Sequence, residues 1–191
     1  MSPKRPYHHG DLRPALLAAA IEAIEESGAT AMSVRDLARR AGVTHTAVTY
    51  HFGDKSGLLA AVAADGYRRL AEALTEAKDK HRSFLEMGVA YVNFALDHPA
   101  HFEVMYNAAL YDRDDADVVA ARAETAALLY GSRDATAEEL ADGVAAWSIV
   151  HGFATLWLNG NLPNQLGSDP EAAARAVASH LRAPRRRSRS R

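Results

Sequence analysis

Apolar residues recur along this chain at the three- and four-residue spacing of helices, and no segment alternates convincingly as a half-buried strand would. Leu16, Ala20, Ala23 and Ile24 stripe a first helix that starts at Gly10 or Asp11, tolerates Pro14 in its first turn and ends at Ser27-Gly28. Val34, Leu37, Ala38 and Ala41 then share one face of a short second helix, with Ser33 and Asp36 placed to cap it and Gly42 to end it. Thr44 is placed to cap a third helix in which Val48 and Phe52 point inward. By the 3.6-residue period, Thr46, Thr49 and Tyr50 lie on its opposite, outward side.

Asp54-Lys55 starts a long fourth helix reaching about residue 78, with Leu58, Leu59, Val62, Tyr67, Leu70 and Leu74 as its apolar positions. At ~1.5 Å per residue it is about 35 Å long, enough to act as a mechanical link between a small head and a larger helical body. Further helices are predicted over 83–97, 99–110 and 114–131, over 137–160 behind a Thr136/Glu139 capping box, and over 169–182 behind Asp169-Pro170. The expectation is an all-α fold of about nine helices. Its domains are an N-terminal arm and helix-turn-helix head over 1–54, a helical body over 55–183, and a basic disordered tail over 184–191.

From Gly143 to Leu162 the chain carries no Asp, Glu, Lys or Arg. About 20 apolar residues would suit a bilayer, but Ser148, His151, Thr155, Asn159 and Asn161 interrupt the run. A helix apolar all round also suits burial between a core and a partner subunit. We therefore expect no membrane segment here, and a self-association surface instead.

Composition narrows the class. With 191 residues, 48% of them hydrophobic, the chain can bury a substantial core. It has no cysteine, so no disulfide framework or thiolate metal site is possible. The N-terminus has basic residues without a following apolar run, which argues against a secretory signal, and a soluble cytoplasmic protein is expected. The net charge of −2 hides an asymmetry: residues 57–183 hold ten Lys/Arg against eighteen Asp/Glu, whereas residues 184–191 hold five Arg and no acid. Overall charge does not single out a nucleic-acid binder. His98 and His101 lie three apart and His8 and His9 are adjacent, but spacing places no third ligand, so neither a metal nor a cofactor is expected. No Gly-x-Ser-x-Gly elbow, phosphate loop or metal-ligand run supports the rival class, an enzyme.

A short helix with an apolar back and a polar, aromatic front, packed on one carrying Arg35, Arg39 and Arg40, is the arrangement that enters a major groove. The run from Val34 to Leu59, with Ala41-Gly42-Val43, Tyr50-His51-Phe52, Lys55 and Leu58-Leu59, resembles the DNA-binding segment of TetR-family transcriptional repressors. His8-His9-Gly10-Asp11-Leu12 resembles an opening common in that family. Asp97-His98-Pro99-Ala100-His101-Phe102 and Trp147 to Gly152 resemble the Trp/His-Gly type of its ligand-binding domain.

This resemblance implies a homodimeric, ligand-responsive regulator, most often a repressor, bound to a palindromic double-stranded DNA operator. Its last two long helices would pair with their mates, small residues such as Gly143, Ala146 and Gly152 allowing close approach. Ser33 and Thr44 match phosphate-contacting helix N-termini, Arg35, His45 and Thr46 match base-reading positions, and Tyr50, His51 and Lys55 match backbone clamps. Thr49 stands where the family usually has Tyr. A small, mainly apolar effector is expected in the body, with Met87, Tyr91, Phe94, Phe102, Met105, Tyr106, Trp147 and His151 as candidate lining, at least half of them simply core.

Overall fold

The computed structural model describes residues 12–131 and 134–180. Among them are nine α-helices, one 3-10 turn and no strand: α1 Leu12–Ser27, α2 Val34–Arg40, α3 His45–Phe52, α4 Lys55–His81, α5 Phe84–Asp97, α6 Pro99–Tyr106, α7 Ala116–Tyr130, α8 Ala137–Leu158 and α9 Pro170–Ala178, with the 3-10 turn at Asn164–Leu166 before α9. The N-terminal arm with His8 and His9, Leu181 and the arginine-rich tail lie outside the described residues.

Most helices begin and end where the local chemistry requires. The Thr136/Glu139 capping box of α8 is present, and Asp169 accepts from the backbone N–H groups of Glu171 and Ala172 at the start of α9. Asp115 does the same for Asp117 and Val118 at the start of α7. The fourth helix runs three residues beyond the predicted 78, to His81, where Arg82 turns into the left-handed region at φ 49°. The sixth stops at Tyr106 rather than 110. Asn107 there folds a turn on itself, accepting from Leu110 N–H with its carbonyl and from Ala109 N–H with its side chain.

Residues cluster into two compact units. The first takes the described residues up to Gly66 together with Ala100–Val119, and the second takes Tyr67–Pro99 and the described residues from Ala120 onward. Helix α4 is continuous through Gly66-Tyr67 and so belongs to both.

In the first unit, Leu16, Ala20, Ala23 and Ile24 of α1 are buried together with Leu37, Ala38, Val48, Phe52, Leu58 and Leu59. Helix α6 packs tightly on the first half of α4: a Cβ added at Gly66 would stand 2.6 Å from Met105 Sδ and 3.0 Å from His101 Cβ. His101 is buried there and sits 3.0 Å from an Asp65 carboxylate oxygen. The Tyr111 hydroxyl closes the end of α6 by donating to Met105 O at 2.9 Å.

In the second unit, α5, α8 and α9 pack on one another. The Arg175 guanidinium of α9 joins Glu86 of α5, and also reaches Glu171 at 3.2 Å. Thr125 donates to Tyr67 O at 2.8 Å, tying α7 to the second half of α4. Gly143 lets α7 press on α8, because a Cβ there would lie 2.4 Å from Tyr130 Cα. Gly143 and Ala146 are thus buried within the chain, whereas a Cβ at Gly152 would meet nothing within 4 Å. The expectation that all three serve a partner subunit is corrected on this point, and only Gly152 is open.

Helix α8 is divided along its length. Gly143, Ala146, Val150, Phe153 and Ala154 face inward, while Leu140, Val144, Ile149, Leu156 and Leu158 are exposed. No helix among the described residues is long and apolar enough to cross a membrane.

Candidate nucleic-acid interface and ligand pocket

Helices α2 and α3 are joined by a turn whose hydrogen bonds fix their angle. Gly42 takes φ 67°, its N–H reaches Arg39 O, and Val43 N–H reaches back to Ala38 O at 3.0 Å. This left-handed closure satisfies the last carbonyls of α2 and favours glycine. Thr44 then caps α3, its hydroxyl accepting from Ala47 N–H at 3.2 Å.

Ser33 sits at the N-cap position of α2 but makes no side-chain cap, contrary to the capping expectation. Asp36, the residue expected to complete the cap, is held elsewhere. Its carboxylate accepts from Arg39 at 2.5 Å and Arg40 at 2.8 Å, and Arg40 also joins Glu26 at 2.5 Å. Arg39 and then Arg40 hold the Asp36 carboxyl below the usual carboxylate range. Two of the three arginines of α2 are therefore already matched with acids. Arg35 is exposed and forms no ion pair among the described residues.

On α3, Val48 and Phe52 are buried, and Arg13 of α1 lies over the Phe52 ring at 5.2 Å. His45, Thr46, Thr49 and Tyr50 are exposed on the other side. Tyr50 is 86% exposed, the most of any large hydrophobic residue described, and meets the His51 ring edge-on at 5.2 Å. An aromatic side chain left so open gains nothing from the protein's own core. Thr49 spends its hydroxyl internally, donating to His45 O at 3.1 Å and lying 3.4 Å from His45 Nδ1. Its proton is therefore used, and its methyl group and the acceptor side of its oxygen remain for an outside partner.

The elbow after α3 is similarly constrained. Gly53 takes φ 77°, and a Cβ at Gly57 would fall 2.0 Å from Phe52 O. Asp54 Oδ1 accepts from Gly57 N–H at 2.9 Å, capping α4. Lys55 reaches across to the turn after α1, donating to Thr30 O at 2.7 Å, and Glu103 of α6 accepts from Ala29 N–H at 3.0 Å in the same turn. Gly57, Thr30 and Glu103 were not picked out from sequence. Gly57 sits unremarked in an apolar period, and the Glu103 contact spans 74 residues, beyond any local pattern.

The second unit holds a pocket. Leu74, Gly88, Tyr91, Ala146 and Val150 form its buried floor, and half-buried Phe84, Met87, Leu128, Leu129 and Trp147 form its mouth. Its cavity volume is about 20 Å³, and the space beyond that opens to solvent. Three of the eight residues expected from sequence line it: Met87, Tyr91 and Trp147. His151 stands behind Tyr91, whose hydroxyl lies 2.9 Å from His151 Nδ1 and accepts from Trp147 Nε1 at 3.1 Å. Burial lowers the His151 pKa below its ordinary 6.5, favouring the neutral ring that can accept at Nδ1. Phe94 is buried outside the lining, and Phe102, Met105 and Tyr106 belong to the first unit, where Phe102 and Tyr106 stack edge-on at 5.0 Å.

Two family models match the chain. The model described as bacterial regulatory proteins, tetR family, covers residues 16–62, and the model described as Tetracyclin repressor-like, C-terminal domain, covers residues 84–181. The chain belongs to the TetR family.

Among relatives of this TetR-family chain, the HTH-type transcriptional regulator BetI of Ectopseudomonas mendocina is 38% identical over 74 residues, 39% of this chain and 36% of that protein. The match therefore spans little more than a third of that regulator. A protein of unknown function from Rhodococcus sp. RHA1 is similar over nearly the whole length: 32% identity, 93% of this chain and 97% of the other, TM-score 0.76. The TetR-family regulator PfmR of Thermus thermophilus shares the fold at 21% identity, with a TM-score of 0.65 over 90% of this chain and 99% of that one. The protein is accordingly a TetR-family, DNA-binding transcriptional regulator with a helix-turn-helix formed by α2 and α3.

Proposed function

We propose that this regulator is a repressor which binds a near-palindromic operator as a homodimer, one α3 in each of two successive major grooves, and is released by a small, mainly apolar molecule held in the second unit. The observation that carries the DNA-binding half is the outward face of α3, where Tyr50 stands 86% exposed beside His45, Thr46 and Thr49 on a helix fixed at both ends. In this reading Arg35, His45 and Thr46 reach base edges, Ser33 and Thr44 sit against phosphates, Tyr50, His51 and Lys55 clamp the backbone, and the Thr49 methyl makes an apolar contact. The dimer forms on the exposed apolar half of α8, since a stripe of Leu140, Val144, Ile149 and Leu156 is costly to leave in water.

Release requires that the effector prefer one conformation, because a molecule bound equally to both shifts nothing. Helix α4, which belongs to both units, is the natural transmitter of a tilt that takes the recognition helices out of register. Footprinting and gel-shift titration on DNA upstream of the protein's own gene test the reading. Protection of two half-sites whose centres lie about one helical turn or a multiple apart is expected. A single asymmetric half-site at saturation, or no retarded band, would overturn it. Linkage adds a second check: operator DNA must weaken effector binding by the same factor that effector weakens DNA binding.

A further inference from the structure

We propose that His45 recognises one exocyclic amino group in the major groove, adenine N6 or cytosine N4, and that Thr49 is the positioning residue that gives it this preference by fixing the imidazole tautomer. This deepens the DNA-binding reading above and rests on its placing of His45 against base edges.

The tautomer follows from the fate of one proton. Thr49 lies one turn after His45 on α3, and its hydroxyl oxygen is 3.1 Å from His45 O and 3.4 Å from His45 Nδ1. A main-chain carbonyl can only accept, and it is the nearer of the two, so the single hydroxyl proton goes there. One lone pair of the same oxygen then faces Nδ1, which completes the contact by donating its N–H, and the second lone pair stays open. An uncharged imidazole carries hydrogen on one nitrogen alone, so with Nδ1 protonated Nε2 can only accept. Turning the ring over would set Cδ2 against the Thr49 oxygen and lose the bond.

Placement turns the tautomer into a readout. His45 is the first residue of α3, directly after the Thr44 cap, and both His45 and Thr49 are exposed. Side chains near the start of a recognition helix are those that reach base edges. Among the described residues, Nε2 has no hydrogen-bond partner, so its lone pair is available there. In the major groove the donors are the amino groups of adenine and cytosine, whereas guanine N7 and O6 and thymine O4 are acceptors. A nitrogen that can only accept therefore favours adenine or cytosine over guanine or thymine. Arg35 can only donate and the Thr46 hydroxyl can do either, so His45 adds the acceptor that the other two base-reading candidates do not fix.

The test uses the full chain at pH 8, which keeps imidazoles uncharged. Nitrogen NMR reports the ring tautomer in the free protein, with the His45 signals assigned by their loss in His45→Ala. Thr49→Val keeps the side chain's shape without the hydroxyl, and Thr49→Ser keeps the hydroxyl without the methyl group. Wild type and Thr49→Ser are expected to hold more of the Nδ1–H form than Thr49→Val, and equal populations in all three overturn the proposal. For the base, a duplex is selected from a randomised pool by wild type. Each adenine of one half-site is then replaced by purine and each cytosine by pyrimidin-2-one, which lack the amino group. At one position the replacement should weaken wild type about 3- to 10-fold and His45→Ala by less than about twofold. Whether that position holds adenine or cytosine identifies the base. Thr49→Val should bind the selected duplex within about threefold of wild type yet lose most of its discrimination against guanine at that position, while Thr49→Ser retains it. A selected duplex in which no amino group depends on His45, or an unchanged base preference in Thr49→Val, overturns the proposal and leaves the DNA-binding reading standing. A pool from which no duplex is enriched overturns both.

Discussion

The Tyr91 hydroxyl, 2.9 Å from His151 Nδ1, is the hub through which α5 meets the tryptophan and histidine of α8. One assignment satisfies all three groups. Trp147 Nε1 can only donate, so the Tyr91 oxygen accepts from it, and the Tyr91 hydroxyl donates its hydrogen bond to Nδ1 of a neutral His151.

A pH dependence follows from this arrangement. Desolvation lowers the His151 pKa in the folded protein, so between that value and the ordinary 6.5 the unfolded chain binds more protons than the folded one. Stability therefore falls as pH drops below about 6.5 and levels off below the folded pKa. Thermal melts of wild type and His151→Gln between pH 5 and 8 should show a shallower loss for the variant. Identical slopes would mean that His151 is not held neutral. Tyr91→Phe, which removes the acceptor for Trp147 Nε1, should lower stability at neutral pH by about 1–3 kcal/mol.

How much of this was legible beforehand differs from helix to helix. The α1 stripe of Leu16, Ala20, Ala23 and Ile24 is buried as the period requires, and so are Val48 and Phe52 on α3, because each helix has one apolar face and only one way to turn it. From Gly143 onward helix α8 carries no charge on any side, so its period could not tell the inner face from the outer. Gly143 and Val150 proved to face the protein's own interior, with Val150 in the pocket floor. Ser33 makes no side-chain cap, and the Asp36 carboxylate, expected to return the bond to the Ser33 N–H, is taken by Arg39 and Arg40, a competition that a capping pattern does not register. Pocket membership depended on which helices meet. That left Phe102, Met105 and Tyr106 indistinguishable in sequence from Met87 and Trp147.

The two glycines of α8 should behave oppositely. Gly143→Ala puts a methyl group 2.4 Å from Tyr130 Cα, where backbone must move, and should cost about 1–3 kcal/mol in denaturant unfolding. Gly152→Ala meets nothing within 4 Å and gains helix propensity, so the subunit fold should be unharmed or slightly stabilised. Equal destabilisation by both would contradict the packing of α7 on α8.

Lys55 and Arg35 should separate affinity from specificity. Lys55 is held 2.7 Å from the neutral Thr30 carbonyl, a contact a phosphate can replace, so Lys55→Ala should weaken binding to every sequence and reduce the salt slope by about one unit. Arg35 is exposed and, among the described residues, unmatched by any acid, unlike Arg39 and Arg40. Arg35→Ala should cost about 1–3 kcal/mol on the operator and relax the preference at one base pair. Titrations on operator and scrambled DNA at several salt concentrations measure both. Equal loss of specificity from the two changes would undo the assignment of roles.

Dimerisation should respond to one face of α8 and not to the other. Leu140, Val144, Ile149 and Leu156 are exposed to 37–44%, and they share half of the helix circumference with Ser148 and the open Gly152. A charge placed there leaves the subunit's own core untouched while setting two like charges near each other across a two-fold contact. Ile149→Glu is therefore expected to give a folded monomer with weak operator affinity, whereas Val150→Glu, pointing into the pocket floor, should unfold or aggregate the subunit. Sedimentation at micromolar concentration with parallel circular dichroism distinguishes the two outcomes. A wild-type protein that sediments as a monomer would remove the dimer, and an Ile149→Glu protein that remains dimeric would place the subunit contact off this face.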